Sequence, residues 1–131
     1  MKKFDEKETL KYALTPTEAA SFCLSQLEND NQKGSVLVPK MPLLSMINLS
    51  KAFCELHNCN IVFDKCYDYE KLVEDVISDG ELKNTIKKNN YYEITNCLNN
   101  KLFRLKFHLM TYDETMFFLK QVEKEILLYN L

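Results

Sequence analysis

The sequence predicts an α+β fold. One compact domain spans residues 1–131, with about five helices, a short β-α-β-like segment in the N-terminal half and a C-terminal antiparallel hairpin packed on a long final helix. Three observations carry this expectation. Two alternating runs flank Asn99-Asn100, and a helix signal opens at Thr111 and continues to Tyr129. Apolar residues make up 46% of 131 positions, with no low-complexity tract, which suffices for a buried core.

Taken in order, Asp5 and Glu8 suit the start of a short first helix ending near Ala13. Thr15-Pro16-Thr17-Glu18 is a stronger start, with Thr15 as N-cap, Pro16 at the first helical position and Glu18 closing the capping box. Its inward positions are Ala19, Phe22, Cys23 and Leu27, and it ends near Asn29-Asp30. Asn31 to Gly34 reads as a loop, and Ser35 to Val38 as a short strand stopped by Pro39, which has no N–H to donate. Pro42 suits the first turn of a helix reaching about Asn58, the most buried helix expected, because only Asn48, Lys51 and Glu55 form a polar stripe. A second strand over Asn60 to Phe63 would complete the β-α-β-like unit.

Asp68 caps the next predicted helix. Tyr69, Leu72, Val73, Val76 and Ile77 repeat at helical spacing, Gly80 takes the C′ position, and Glu70, Glu74, Asp75 and Asp79 fall on the outer side. Glu81 to Asn89 is then a polar connector. In the hairpin, Asn99 and Asn100 tolerate the positive φ of a type I′ tip. That register pairs Ile94 with Leu105 and Tyr92 with Phe107 on an apolar face, and Thr95 with Arg104, Glu93 with Lys106 and Tyr91 with His108 on a mixed face. Thr111 and Glu114 form a second capping box, followed by a stripe of Phe118, Leu119, Val122, Ile126 and Tyr129 expected to cross the apolar hairpin face. Met116, Phe117, Leu127 and Leu128 lie outside this stripe, so the helix is apolar on more than one side.

Composition excludes several chemistries. Gly34 and Gly80 are the only glycines, too few for a P-loop or a dinucleotide fingerprint. There is no run of about 18 apolar residues, so no membrane span is expected. Met1-Lys2-Lys3 is followed by charge rather than by an apolar leader segment, and five cysteines are an odd number. Reduced thiols in the cytoplasm, or in a host-cell cytosol, fit both facts.

Four functional readings follow. The first is metal binding: Cys54, His57, Cys59 and Cys66 are of zinc-ligand type, but their spacing matches no standard finger. The second, thiol catalysis, needs His57 or His108 beside a cysteine; the predicted register holds Cys97 about six positions from His108, too far for a hydrogen bond. The third is a winged-helix-like nucleic-acid-binding regulator, with the Asp68 helix in the groove. The acidic residues on that helix, the net charge of −2 and the single arginine oppose it. The fourth is a small protein–protein interaction module of inhibitor, immunity-factor, chaperone or adaptor type, with no catalysis and no cofactor. Its expected contact residues are Tyr91, Glu93, Arg104, Lys106 and His108 on the basic hairpin face and Glu70 and Glu74 on the acidic helix. Homodimerisation through the hairpin edge or the final helix is a variant of that reading.

Overall fold

A computed structural model describes residues 9–28, 34–62, 74–98 and 105–129. Nine elements follow in chain order: β1 (Leu10–Tyr12), α1 (Pro16–Gln26), β2 (Val36–Pro39), β3 (Leu43–Ser45), α2 (Met46–His57), α3 (Asp79–Leu82), β4 (Thr85–Lys87), β5 (Tyr91–Ile94) and α4 (Tyr112–Tyr129). The class is mixed α+β, with four helices and two small antiparallel sheets among the described residues.

Both predicted capping boxes form. Thr15 Oγ1 accepts from the Glu18 amide at 3.1 Å, and the Glu18 carboxylate accepts from the Thr15 amide at 3.4 Å. Thr111 and Glu114 repeat the exchange at 3.1 and 3.2 Å ahead of α4. Such caps satisfy the amides that a helix start leaves without an intrahelical partner. A third box, Ser78 with Glu81, opens α3.

The start of the chain departs from expectation. Residues 10–12 form β1, which pairs with β3 through Leu10↔Ser45, Lys11↔Leu44 and Tyr12↔Leu43, so no helix reaches Ala13. The same pairing keeps Leu43-Leu44-Ser45 extended. Helix α2 therefore starts four residues later than Pro42 suggests, at Met46, with Ser45 as its N-cap accepting from the Asn48 amide at 3.2 Å. Its end near Asn58 is as expected, in a left-handed cap with φ 51°. Burial of α2 is smaller than predicted. Ala52 is its buried residue, while Phe53 and Leu56 stay exposed. Helix α1 buries none of its residues, and Ala19, Cys23 and Leu27 face solvent.

The β-α-β-like unit does not form among the described residues. Asn60, Ile61 and Val62 are not strand, Phe63 lies outside the described residues, and β2 pairs antiparallel with β5 instead. Of the predicted Asp68 helix, residues 68–73 lie outside the described residues and 74–78 are not helical. Gly80 sits inside α3 rather than at a C′ position, because Ser78 caps a new helix there.

The largest correction concerns the hairpin. Strand β5 is the centre of a three-stranded sheet, with Tyr92 opposite Val38 on β2 and Lys87 on β4. Both edges of β5 are thus occupied, and residues 105–108 are not strand. The real hairpin joins β4 to β5 across Asn89-Asn90, a second Asn-Asn dipeptide ten residues before the predicted tip. Neither asparagine takes a positive φ, so the turn is not type I′. It is held from outside: Lys40 Nζ donates to the Lys88 and Asn89 carbonyls at 2.7 and 2.9 Å, and the Lys40 amide donates to Asn90 O at 3.1 Å.

Side-chain partners were nonetheless anticipated. Tyr92, Ile94, Leu105 and Phe107 meet in one core cluster with Val38, Val76, Ile77 and Leu82. The Tyr92 and Phe107 rings lie 6.3 Å apart, edge to face, and Phe107 meets Tyr12 at 4.7 Å, so this ring links the two sheets. The segment beyond it runs beside β3: Leu43 donates to His108 O at 2.8 Å and accepts from the Met110 amide at 2.9 Å. Among the described elements, helix α4 packs chiefly on α2 and also on α1.

Candidate functional site

A groove of about 500 Å³ opens where the start of α1, the His108–Met110 segment and the first turns of α4 meet. Its walls follow from the caps described above. Thr15 and Glu18 come from the first capping box, and Glu114 from the second. Phe117, Phe118 and Gln121 follow Glu114 at i+3, i+4 and i+7, so one face of α4 presents them together. Ala13, Pro42 and Met110 make the rest of the groove apolar.

Charge sits at the rim and is mainly negative, from Glu18, Asp113 and Glu114, with His108 as the one basic group lining it among the described residues. His108 Nε2 lies 2.8 and 2.9 Å from the two Glu114 oxygens. Hydrogen bonding from the Thr111 backbone, and then from His108, holds the Glu114 carboxyl below its ordinary value. Phe117 is 73% exposed, a large apolar ring left in water at the groove edge. Further along α4, Leu127 and Leu128 are also exposed.

Behind the groove, Glu125 is buried, and its Oε1 accepts from the Thr17 amide at 2.7 Å. Its Oε2 is buried without a hydrogen-bond partner among the described residues. Hydrogen bonding by Thr17 lowers the Glu125 pKa, against burial, which raises it. This carboxylate occupies the positive end of α1, so that helix start is already neutralised from within.

The predicted contact residues are dispersed. His108 lines the groove. Tyr91 is half-buried, with its ring 6.0 Å from that of Phe22. Glu93 is 3% exposed, accepts from Ser35 Oγ at 3.0 Å and lies 3.9 Å from Lys88 Nζ, its partner in place of the predicted Lys106. Lys106 is exposed, and Glu74 is exposed beside Lys11 at 3.5 Å. Arg104 and Glu70 lie outside the described residues. Phe117, Met110 and Asp113 were not singled out as contacts. The available signal was Phe117 falling outside the apolar stripe of α4.

Of the zinc-type residues, Cys54 and Cys59 come together with their sulfurs 3.1 Å apart. His57 instead contacts Glu123 of α4, and Cys66 lies outside the described residues. No group of three or more His, Cys, Asp or Glu converges as a metal site among the described residues. Cys97 is exposed, and its amide donates to Thr95 Oγ1 at 3.2 Å. No helix among the described residues is long and apolar enough to cross a membrane. No protein-family model matches the sequence, and no curated protein matches it.

Proposed function

We propose that this protein acts by binding another protein, without catalysis, and that the groove beside Phe117 receives an apolar side chain from a partner segment flanked by lysine or arginine. The observation that carries this reading is the exposure of Phe117, at 73%, at the edge of an apolar groove rimmed by Glu18, Asp113 and Glu114. An aromatic ring held on a rigid helix supplies contact area at small entropic cost, and such rings are favoured as interface anchors. The acidic rim selects the charge of the partner and speeds its approach. A volume of about 500 Å³ suits one or two side chains. Of the contact residues expected from the sequence, His108 lines this groove, while Glu93 is buried.

The test is calorimetric titration with two short peptides, each with a central Leu-Phe pair, one flanked by lysines and the other by glutamates. Binding of the lysine peptide alone, lost in Phe117→Asp with an unchanged melting temperature, supports the proposal. Equal binding of both peptides, or of neither, overturns it.

A further inference from the structure

The C-terminal turn of α2 brings two thiols together by a local rule. Asn58 takes a left-handed conformation, φ 51° and ψ 53°, and ends the helix. Both the Asn58 and Cys59 amides then donate to the Cys54 carbonyl, the latter at 3.1 Å. A bond spanning six residues in this way is the Schellman arrangement, in which the side chains at its two ends normally make an apolar contact. Here both ends are cysteines. Their sulfurs lie 3.1 Å apart, within hydrogen-bonding distance of each other. Cys59 is exposed and Cys54 is half-buried, so a reagent from solvent meets Cys59 first. The next residue inward, His57, contacts Glu123, which ties this turn to α4.

We propose that Cys54 and Cys59 form a thiol–disulfide exchange site whose substrate is a small-molecule disulfide, with Cys59 as the attacking thiol and Cys54 as the resolving one. In the first step the Cys59 sulfur, as thiolate, attacks one sulfur of the small disulfide. A Cys59 mixed disulfide forms and one small thiol departs, having taken up the proton. In the second step the Cys54 sulfur attacks Cys59 Sγ. The Cys54–Cys59 disulfide forms, and the second small thiol leaves with the Cys54 proton. The protein gives up two electrons and the small disulfide is reduced to two thiols. Hydrogen bonding to Cys59 raises the Cys54 thiol above its ordinary pKa, and burial adds to the shift. This agrees with Cys54 acting second, once the Cys59 thiol is consumed.

The experiment treats the reduced full-length protein with oxidised glutathione. Remaining thiols are then blocked in denaturant, and the chain is cleaved after Glu55, which lies between the two cysteines. Peptides carrying Cys54 and Cys59 are expected to remain joined, with the mass of a disulfide. Cys54→Ser is expected to accumulate glutathione on Cys59 and to retain the fold, since serine preserves the polar contact at a half-buried position. Linkage of Cys59 to another cysteine, or equal glutathione retention on Cys59 in wild type and Cys54→Ser, overturns the proposal. So does preferential modification of the exposed Cys23 or Cys97 while Cys54 and Cys59 stay reduced.

Discussion

Glu125 on the final helix, itself buried, accepts a hydrogen bond from the backbone amide of Thr17, 108 residues earlier, at 2.7 Å. This one contact completes the accounting at the start of α1. Pro16 has no amide to satisfy, Thr17 donates to Glu125, Glu18 donates to Thr15 Oγ1, and Ala19 donates to the Thr15 carbonyl. Since α1 buries no side chain of its own, this bond helps to attach it to the domain.

Glu125→Ala should therefore lower the melting temperature by several degrees, because it removes a buried carboxylate that accepts from the first free amide of α1. Glu125→Gln should fall between, since an amide oxygen can still accept but carries no charge toward the helix start. The pH dependence has a definite sign. Bonding to Thr17 depresses the folded-state pKa below the ordinary 4.5, so this stabilisation is complete above that value and is lost as pH falls through the folded value. Thermal melts across the acid range should show a shallower decline for Glu125→Ala than for wild type. Parallel profiles would remove Glu125 from this role.

The two glycines should respond to alanine with opposite signs. Gly80 is helical within α3, and a Cβ there would meet only Ser78 Oγ at 4.0 Å, so Gly80→Ala should stabilise by about 0.5–1 kcal/mol. Gly34 has φ 81°, where a Cβ is strained whatever the space, so Gly34→Ala should destabilise. Denaturant titration of both variants measures the two signs, and a destabilising Gly80→Ala would contradict α3.

Strand order can be read by NMR. Antiparallel pairing of Glu93 with both Leu37 and Ile86 predicts backbone contacts from β5 to β2 and to β4. None should join the backbone of Glu93 to that of Lys106. Tyr92 in the core that this order builds, and Leu119 on α4, are both buried, so Tyr92→Ala and Leu119→Ala should each cost about 2–5 kcal/mol.

At the groove, Asp113→Lys combined with Glu114→Lys should weaken binding of the lysine-flanked peptide, and more so at low salt, where rim charges are least screened. Glu114 also caps α4, so the single variant Asp113→Lys separates the charge effect from loss of the cap. Salt-independent binding by wild type would show that the acidic rim plays no part.

The sequence by itself determined the features that close within a few residues. Thr15 with Glu18 and Thr111 with Glu114 start their helices as expected, because each cap exchanges its hydrogen bonds over three positions. Part of the core was legible too: apolar patterning marks Tyr92, Ile94, Leu105 and Phe107 as side chains that leave water, and they meet in one cluster. The same patterning along α1 and α2 marks Cys23, Leu27, Phe53 and Leu56, which stay exposed. Tertiary structure alone decided the partners. An Asn-Asn dipeptide occurs twice, and the alternating runs around 99–100 point to that one as the hairpin tip. Lys40, 48 residues before Lys88, bonds the turn at 89–90, while 99–100 lies outside the described residues. Likewise Leu43 to Ser45 are extended because β1 supplies their hydrogen bonds, and the short Ser45 cap then starts α2 late. The groove at Phe117 assembles from α1, the His108–Met110 segment and α4, and no local pattern within any one of them encodes the other two.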